Sequence, residues 1–355
     1  MKIVITVSQI TPGGGLSKYI CTLVDVLTQD TKNQICVLTT HKSEANPQLE
    51  QLKAERNVQH ISLAELSTIR KYVALISRLR KLSPDVIINN YNATTQYILP
   101  FLPQKVKIVH ILHNNTDDFY RVAAINAKYV DRWVAPTPAL KDYFNSYTNS
   151  KYDNRVITIP HAVDAASDFI RRISSDTLQL TFVGVLYEHK GVLILPDIIE
   201  CLRSKGYNFL FTFIGDGVLR SNLENKLRDG INDGIVDFTG RIDSDDVYRK
   251  LRQTDIFVYP THIDAFGLVI AEAMMNGAIP VVTCLEGITD TIVDDGQNGY
   301  LVAQDDIQCF VERISSLIDD EEMRNGMSQA AVEKANRCFS KEVMRRNYLN
   351  MISSL

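Results

Sequence analysis

Two carboxylates, Asp264 and Glu272, carry the sharpest chemical signal in the chain. In THIDAFGLVIAEAMMNGAIPVV they bracket Phe266, Gly267 and Leu268, directly after the apolar run DIFVYP at 255–260. A helix opening near Gly267 has backbone amides with no partner inside the helix, at the positive end of its dipole, and glycine lets a ligand come close to them. That arrangement suits a phosphate. Further along the same helix, Glu272 offers a carboxylate that accepts two hydroxyl hydrogen bonds, as the 2'- and 3'-hydroxyls of a ribose would require. A helix cap at Asp264 and a surface charge at Glu272 are each common alone. Their combination with the GAIPVV strand that follows is not.

Three other groups follow predicted strands. FVGVLYEHKG at 182–191 ends a strand at Gly184 and opens a helix with Lys190, a compact, mobile cation suited to a diphosphate whose charge rises as a sugar bond breaks. TPGGGLSKYICTLVDVL joins the first strand to the first helix through Gly13, Gly14 and Gly15. It is not the GxGxxG fingerprint, and a tight turn is the plain alternative. IGDG at 214–217 repeats the idea with Gly215. IVHILHNNTDDFY at 108–120 places His110 and His113 at a strand end. His110 lies inside the run VKIVHIL and reads as a core residue, whereas His113 is placed to bond a sugar hydroxyl or meet developing charge. Asp117 and Asp118 read as caps of the next helix, with an acceptor contact as the alternative.

Taken together these motifs resemble the retaining glycosyltransferases of GT-B fold often called family 4, whose pattern is E-x-F-G-x-x-x-x-E, then Gly-x-Pro-Val-Val, then D-G-x-x-G-x-L. Here they stand as DAFGLVIAE, GAIPVV and DGQNGYL, with Asp264 in place of the first Glu. The resemblance implies that Asp264 contacts donor-sugar hydroxyls and Glu272 the ribose, with Phe266, Gly267 and Leu268 between them in the donor site. Of the family's G-R-x-x-x-x-K-G, Gly184 and Lys190 remain and Val185 replaces the Arg. Arg241 in FTGRID is the nearest substitute cation in sequence, or else a solvated charge. Gly14 and Gly15 become backbone contacts to the diphosphate and acceptor, Gly215 part of the loop under the nucleotide, and His113 a neighbour of the donor sugar. VITIPHAVD resembles the family's I-P-N-G-V-D hinge, with His161 and Ala162 replacing Asn-Gly.

The implied reaction moves a sugar from a UDP- or GDP-type donor to a saccharide or lipid-linked acceptor hydroxyl. The acceptor attacks on the face that the phosphate leaves, and that phosphate takes the proton. Lys190, His113 and Asp264 would be catalytic, with no cofactor beyond the donor and no metal. The Asp triplet in IDSDD at 242–246 reads as a helix cap and acidic first turn rather than a metal site. An epimerase on this fold would need an acid and a base for which no pair is identifiable. A non-catalytic subunit binding a partner transferase or its substrate is kept open by Val185 and Asp264.

The elements that must position these residues are legible as short apolar runs alternating with amphipathic segments: KIVITV, ICVLTT, DVIINN, VKIVHIL, RWVAPT and VITIP, then LTFVGV, LFTFIG, VDFTG, DIFVYP, IPVVT and GYLV. Such a rhythm predicts two parallel sheets covered on both faces, that is, two doubly wound Rossmann-like α/β domains facing across a cleft. With the roles that the family resemblance implies, the expected boundaries are 1–165 for the acceptor and 166–338 for the donor, with a C-terminal helix, 339–355, crossing back to the first domain as it does in that family. The linker falls near 165–178.

Lys+Arg total 38 against 42 Asp+Glu, a net charge of −4. This excludes the basic field of a nucleic-acid binder. Six scattered cysteines without metal spacing, and an N-terminus lacking a secretory apolar core, lead to the expectation of a cytosolic protein with reduced thiols. STIRKYVALISRLRKL at 67–82 groups Ile69, Tyr72, Val73, Ile76 and Leu79 on one face and Arg70, Lys71, Arg78 and Lys81 on the other. That predicts either a solvated basic face or peripheral contact with an anionic membrane.

Overall fold

A computed structural model of the chain describes residues 1–11, 14–30, 32–164 and 177–355. Gly13 and most of the expected linker lie outside the described residues. Two compact units emerge, Met1–Ala162 with Lys341–Leu355, and Val163–Ser340.

In the first unit the strands are β1 (Lys2–Val7), β2 (Gln34–Thr39), β3 (Gln59–Ser62), β4 (Val86–Asn90), β5 (Lys107–Ile111), β6 (Arg132–Ala135) and β7 (Val156–Thr158). They form one sheet in the order β3-β2-β1-β4-β5-β6-β7, every pair parallel. The central strands are buried along nearly their whole length, which is why they read as unbroken apolar runs. The strand that the sequence reading lacks is β3, QHIS, a short edge strand with only one apolar residue. Helix Lys341–Ser353 belongs to this unit and packs on helix Gly15–Thr28. Met344, Tyr348, Met351 and Ile352 enter the same core as Ile20, Leu23 and Val24. Lys341 Nζ meets Asp25 Oδ2 at 2.9 Å.

Helix Thr68–Leu82 corrects the expected apolar face. Its fully buried seam is Leu75 and Leu79, while Ile69 and Val73 are 79% and 63% exposed. At 100° per residue those two lie roughly 120 to 160° away from Leu75. They point outward between Arg70, Lys81 and Arg80, all exposed. Among the described residues no helix is long and apolar enough to cross a membrane.

The second unit contains β8 (Leu178–Val183), β9 (Phe209–Ile214), β10 (Val236–Gly240), β11 (Ile256–Tyr259), β12 (Ile279–Thr283) and β13 (Tyr300–Val302). Their order is β10-β9-β8-β11-β12-β13, again wholly parallel. Phe182, Phe211, Phe213 and Phe257 fill its core. In each sheet the winding direction reverses once, between β1 and β4 and between β8 and β11. Loops leaving the carboxyl ends of those strand pairs diverge, and such switch points are where open α/β sheets bind ligands. Two α/β domains built on parallel sheets follow, as the sequence predicts.

Candidate functional site

At the switch point of the second sheet, the loop after β8 carries Lys190 and the loop after β11 carries Asp264. Because β8 and β11 are hydrogen-bonded neighbours, the two loops are pressed together. The amide of His262 donates to the His189 carbonyl at 3.0 Å. Gly191, at φ +67°, lies so close to Pro260 that a Cβ would run into the Pro260 carbonyl. Lys190 Nζ therefore meets Asp264 Oδ2 at 2.9 Å, donates to the Ile263 carbonyl at 3.3 Å and stands 5.4 Å from the centre of the Tyr259 ring.

Asp264 is half-buried and heavily bonded. Its Oδ1 accepts the amides of Ala265, Phe266 and Gly267 at 2.8, 3.3 and 2.9 Å, and its Oδ2 accepts the Tyr259 hydroxyl at 3.0 Å. Burial pushes the carboxyl up, but the Lys190 charge and these hydrogen bonds outweigh it and hold the group below its usual range, so it is ionised at neutral pH. Burial, then the Asp264 charge, pushes the Tyr259 phenol well up, so it stays a donor.

Helix Leu268–Met275 begins at Gly267, whose φ of +87° a residue with a Cβ rarely adopts. Its first amides belong to Leu268 and Val269, since Ile270 already donates to the Gly267 carbonyl. Phe266 turns into the core of the unit, edge-on to Phe339 at 5.7 Å, and Leu268 packs against that core. Only their backbones face the helix start. Glu272 is buried on this helix, close enough to Tyr248 that, after burial, its charge is the largest influence holding that phenol protonated.

The loops after β8 and β9 are also interlocked. The Gly184 amide donates to the Ile214 carbonyl at 2.9 Å, and Gly215, at φ +132°, presses so near Gly184 that a side chain there would strike its carbonyl. Arg241 is exposed after β10, the edge strand, two strands from β8. Asp243 caps helix Ser244–Leu251 by accepting from the Asp246 amide at 2.8 Å, the role its sequence suggests.

In the first unit Gly14 is the cap residue of helix Gly15–Thr28 at φ −90°, and a Cβ at Gly15 would meet nothing within 4 Å. The fold itself does not demand glycine at position 15. His113, after β5, shares a hydrogen bond with Asn90 Oδ1 at 3.0 Å and lies against Tyr19 and His161, with ring centres 4.9 and 5.9 Å away. Burial, then the nearby His161 and His110, holds it neutral. His110 is a core residue, within hydrogen-bond distance of Asn89 and Gln96 at 3.2 and 3.1 Å. Asp117 and Asp118 are exposed in the first turn of helix Asp117–Ala124.

The family model described as glycosyl transferases group 1 matches residues 144–334, more than half of the chain. The chain belongs to this family. A second model, glycosyltransferase family 4, matches residues 13–167 of this group 1 member. An uncharacterized glycosyltransferase of Methanocaldococcus jannaschii is 28% identical over 254 residues, 70% of each chain. The capsular polysaccharide biosynthesis glycosyltransferase CapM of Staphylococcus aureus is 26% identical over 175 residues, 49% of this chain and 45% of CapM. Among solved structures, Anabaena HepE in complex with UDP superposes with a TM-score of 0.81 at 17% identity over 100% of both chains. A TarM complex from S. aureus gives 0.78 at 13%, covering 99% of each. These likenesses establish the GT-B fold of the group 1 chain.

Within this group 1 fold, three side chains beside the site escaped the sequence reading. Tyr259 and Tyr248 look like ordinary strand and helix aromatics in sequence, and only the fold turns them onto Asp264 and Glu272. Arg220, after the β9 loop, pairs with Glu224 at 2.7 Å and Asp216 at 3.7 Å and lies beside Gly240. It follows β9, which neighbours β8, whereas Arg241 follows the edge strand β10. Its sequence signal, a lone Arg four residues from each of two acids, reads as a helix-surface charge. Val185, at the position of the family's Arg, is 47% exposed.

Proposed function

We propose that this chain is a retaining, metal-independent glycosyltransferase that moves a hexose from a nucleoside diphosphate sugar to an acceptor hydroxyl. The observation that carries the reading is Lys190, held 2.9 Å from Asp264 at the switch point of the second sheet beside the N-terminus of helix Leu268–Met275. A cation and aligned amides in one half-buried place are what a departing diphosphate needs, because negative charge accumulates on its bridging oxygen as the sugar bond breaks. Glu272, on the same helix, would accept the ribose hydroxyls.

Lys190 would stabilise the charge on the leaving phosphate, and an oxygen of that phosphate would take the proton of the attacking hydroxyl on the same face. The sugar's configuration is then retained. The first unit would hold the acceptor, with His113 in its neutral form offering a hydrogen bond near the sugar. HepE, as solved, binds UDP and UDP-glucose, which makes uridine the first nucleoside to test. CapM acts in capsular polysaccharide synthesis by its name. Together with the outward-facing Ile69 and Val73 among basic residues, this favours an acceptor carried on a lipid at an anionic membrane surface.

Calorimetric titration of UDP and GDP, followed by hydrolysis assays with their sugars, tests the reading. One nucleoside diphosphate is expected to bind and its sugar to be slowly hydrolysed without acceptor. Absence of binding by either would end it, and binding without any hydrolysis or transfer would leave a donor-binding subunit instead.

A further inference from the structure

Resting on the donor-binding reading above, the geometry of Asp264 assigns it a task other than holding the sugar. A carboxylate has about four acceptor directions. Five donors already converge on this one: three consecutive backbone amides on Oδ1, and Lys190 Nζ with the Tyr259 hydroxyl on Oδ2. The shorter acid makes this possible. An aspartate reaches the amides of the residues just after it through a small ring, a closure that is typical of Asp and that an added methylene loosens.

We propose that Asp264 is a positioning residue, which fixes the Lys190 ammonium and the start of helix Leu268–Met275, and that it makes no contact with the donor sugar. Oδ2 and the Ile263 carbonyl take two of the three ammonium hydrogens. The third is left for a diphosphate oxygen. Oδ1 meanwhile ties the Ala265–Gly267 backbone into a strap, so that the amides the helix presents are those of Leu268 and Val269. Cation and amides are thus held in one fixed relation before the donor arrives, and the cost of ordering them is not charged to binding.

The test compares three probes: the nucleoside diphosphate that the wild type binds (UDP or GDP), its monophosphate, and the matching nucleotide sugar. Each is titrated into wild type, Asp264→Asn, Lys190→Met and the double variant. A positioning role predicts that Asp264→Asn weakens diphosphate and nucleotide sugar by the same factor, roughly tenfold, and the monophosphate hardly at all. In the Lys190→Met background the effect of Asp264→Asn should shrink below about threefold, because the two act as a unit. Tyr259→Phe removes one Oδ2 donor and keeps the charge. It is expected to show the same pattern with smaller amplitude, and it decides the matter if Asp264→Asn does not fold. A loss confined to the nucleotide sugar would mean that Asp264 holds the sugar and would overturn the proposal. So would unchanged or tighter diphosphate binding, or a loss undiminished in the Lys190→Met background. Failure of the wild type to bind any probe overturns the proposed function and this inference with it.

Discussion

On the proposed function, Lys190 and Glu272 contribute at different moments, and their variants should separate accordingly. Lys190→Ala removes a cation whose partner gains charge only as the bond breaks, so turnover should fall by about two orders of magnitude, roughly 3 kcal/mol of barrier. Glu272→Gln would disturb the proposed ribose contacts, which are made equally before and during reaction. Its main effect in steady-state kinetics should be a raised donor KM. His110 supplies a residue-scale prediction of another kind. Burial lowers its pKa from 6.5 to about 3. Below 6.5 the unfolded chain binds a proton that the folded one refuses, so stability is complete above that pH and declines as pH falls from 6.5 toward 3. At pH 5 the loss from this group is about 2 kcal/mol, seen as a lower urea midpoint that His110→Asn flattens. The individual groups were readable because their residue types and spacing are unusual. The Lys190–Asp264 pair was not, since 74 positions separate its members and only the adjacency of β8 and β11 brings them together.

At the scale of elements, the interlocked loops after β8 and β11 depend on backbone approach more than on side chains. Gly191→Ala places a methyl against the Pro260 carbonyl at a positive φ and should cost about 2 kcal/mol or more in urea unfolding. Gly206→Ala, also at positive φ but with nothing within 4 Å, should cost only about 1 kcal/mol. Helix Thr68–Leu82 makes the membrane reading testable in the same spirit. Vesicles containing anionic lipid should bind the chain in a salt-sensitive way, and changing Arg70, Lys71, Arg78 and Lys81 to Gln should abolish it. Equal behaviour on neutral vesicles would refute that reading. The central strands were legible because burial on both faces forces continuous apolar runs, and the edge strands β7, β10 and β13 because each keeps apolar residues, whereas β3, QHIS, has no buried residue and so carries no such run. The apolar face of helix Thr68–Leu82 was misjudged for a related reason. Periodicity groups Ile69, Val73 and Leu79 in one stripe, but the buried seam runs through Leu75, which lies outside that group, and shares only Leu79 with it.

At the scale of the molecule, the first unit is completed by the last stretch of sequence. Removing Lys341–Leu355 takes Met344, Tyr348, Met351 and Ile352 out of its core. At about 1.5 to 3 kcal/mol for each buried apolar side chain, the loss is comparable to the whole stability of a domain. The truncated chain should therefore show protease sensitivity throughout 1–162 while Val163–Ser340, with its own core, stays protected. The hydrophobic pattern alone announces the two sheets but not this ownership, because the same amphipathic helix could close either core; the expectation that 339–355 crosses back came from the family resemblance, and Lys341–Leu355 does join the first unit. The arrangement also sets a timetable for synthesis. The first unit is started before the second and finished after it, since helix Gly15–Thr28 waits for a partner that is translated only after all of Val163–Ser340. At the usual 5 to 20 residues per second that is a delay of roughly 10 to 35 seconds. During it the nascent N-terminal half carries an uncovered apolar flank, while the second unit, contiguous in sequence, can fold as it emerges.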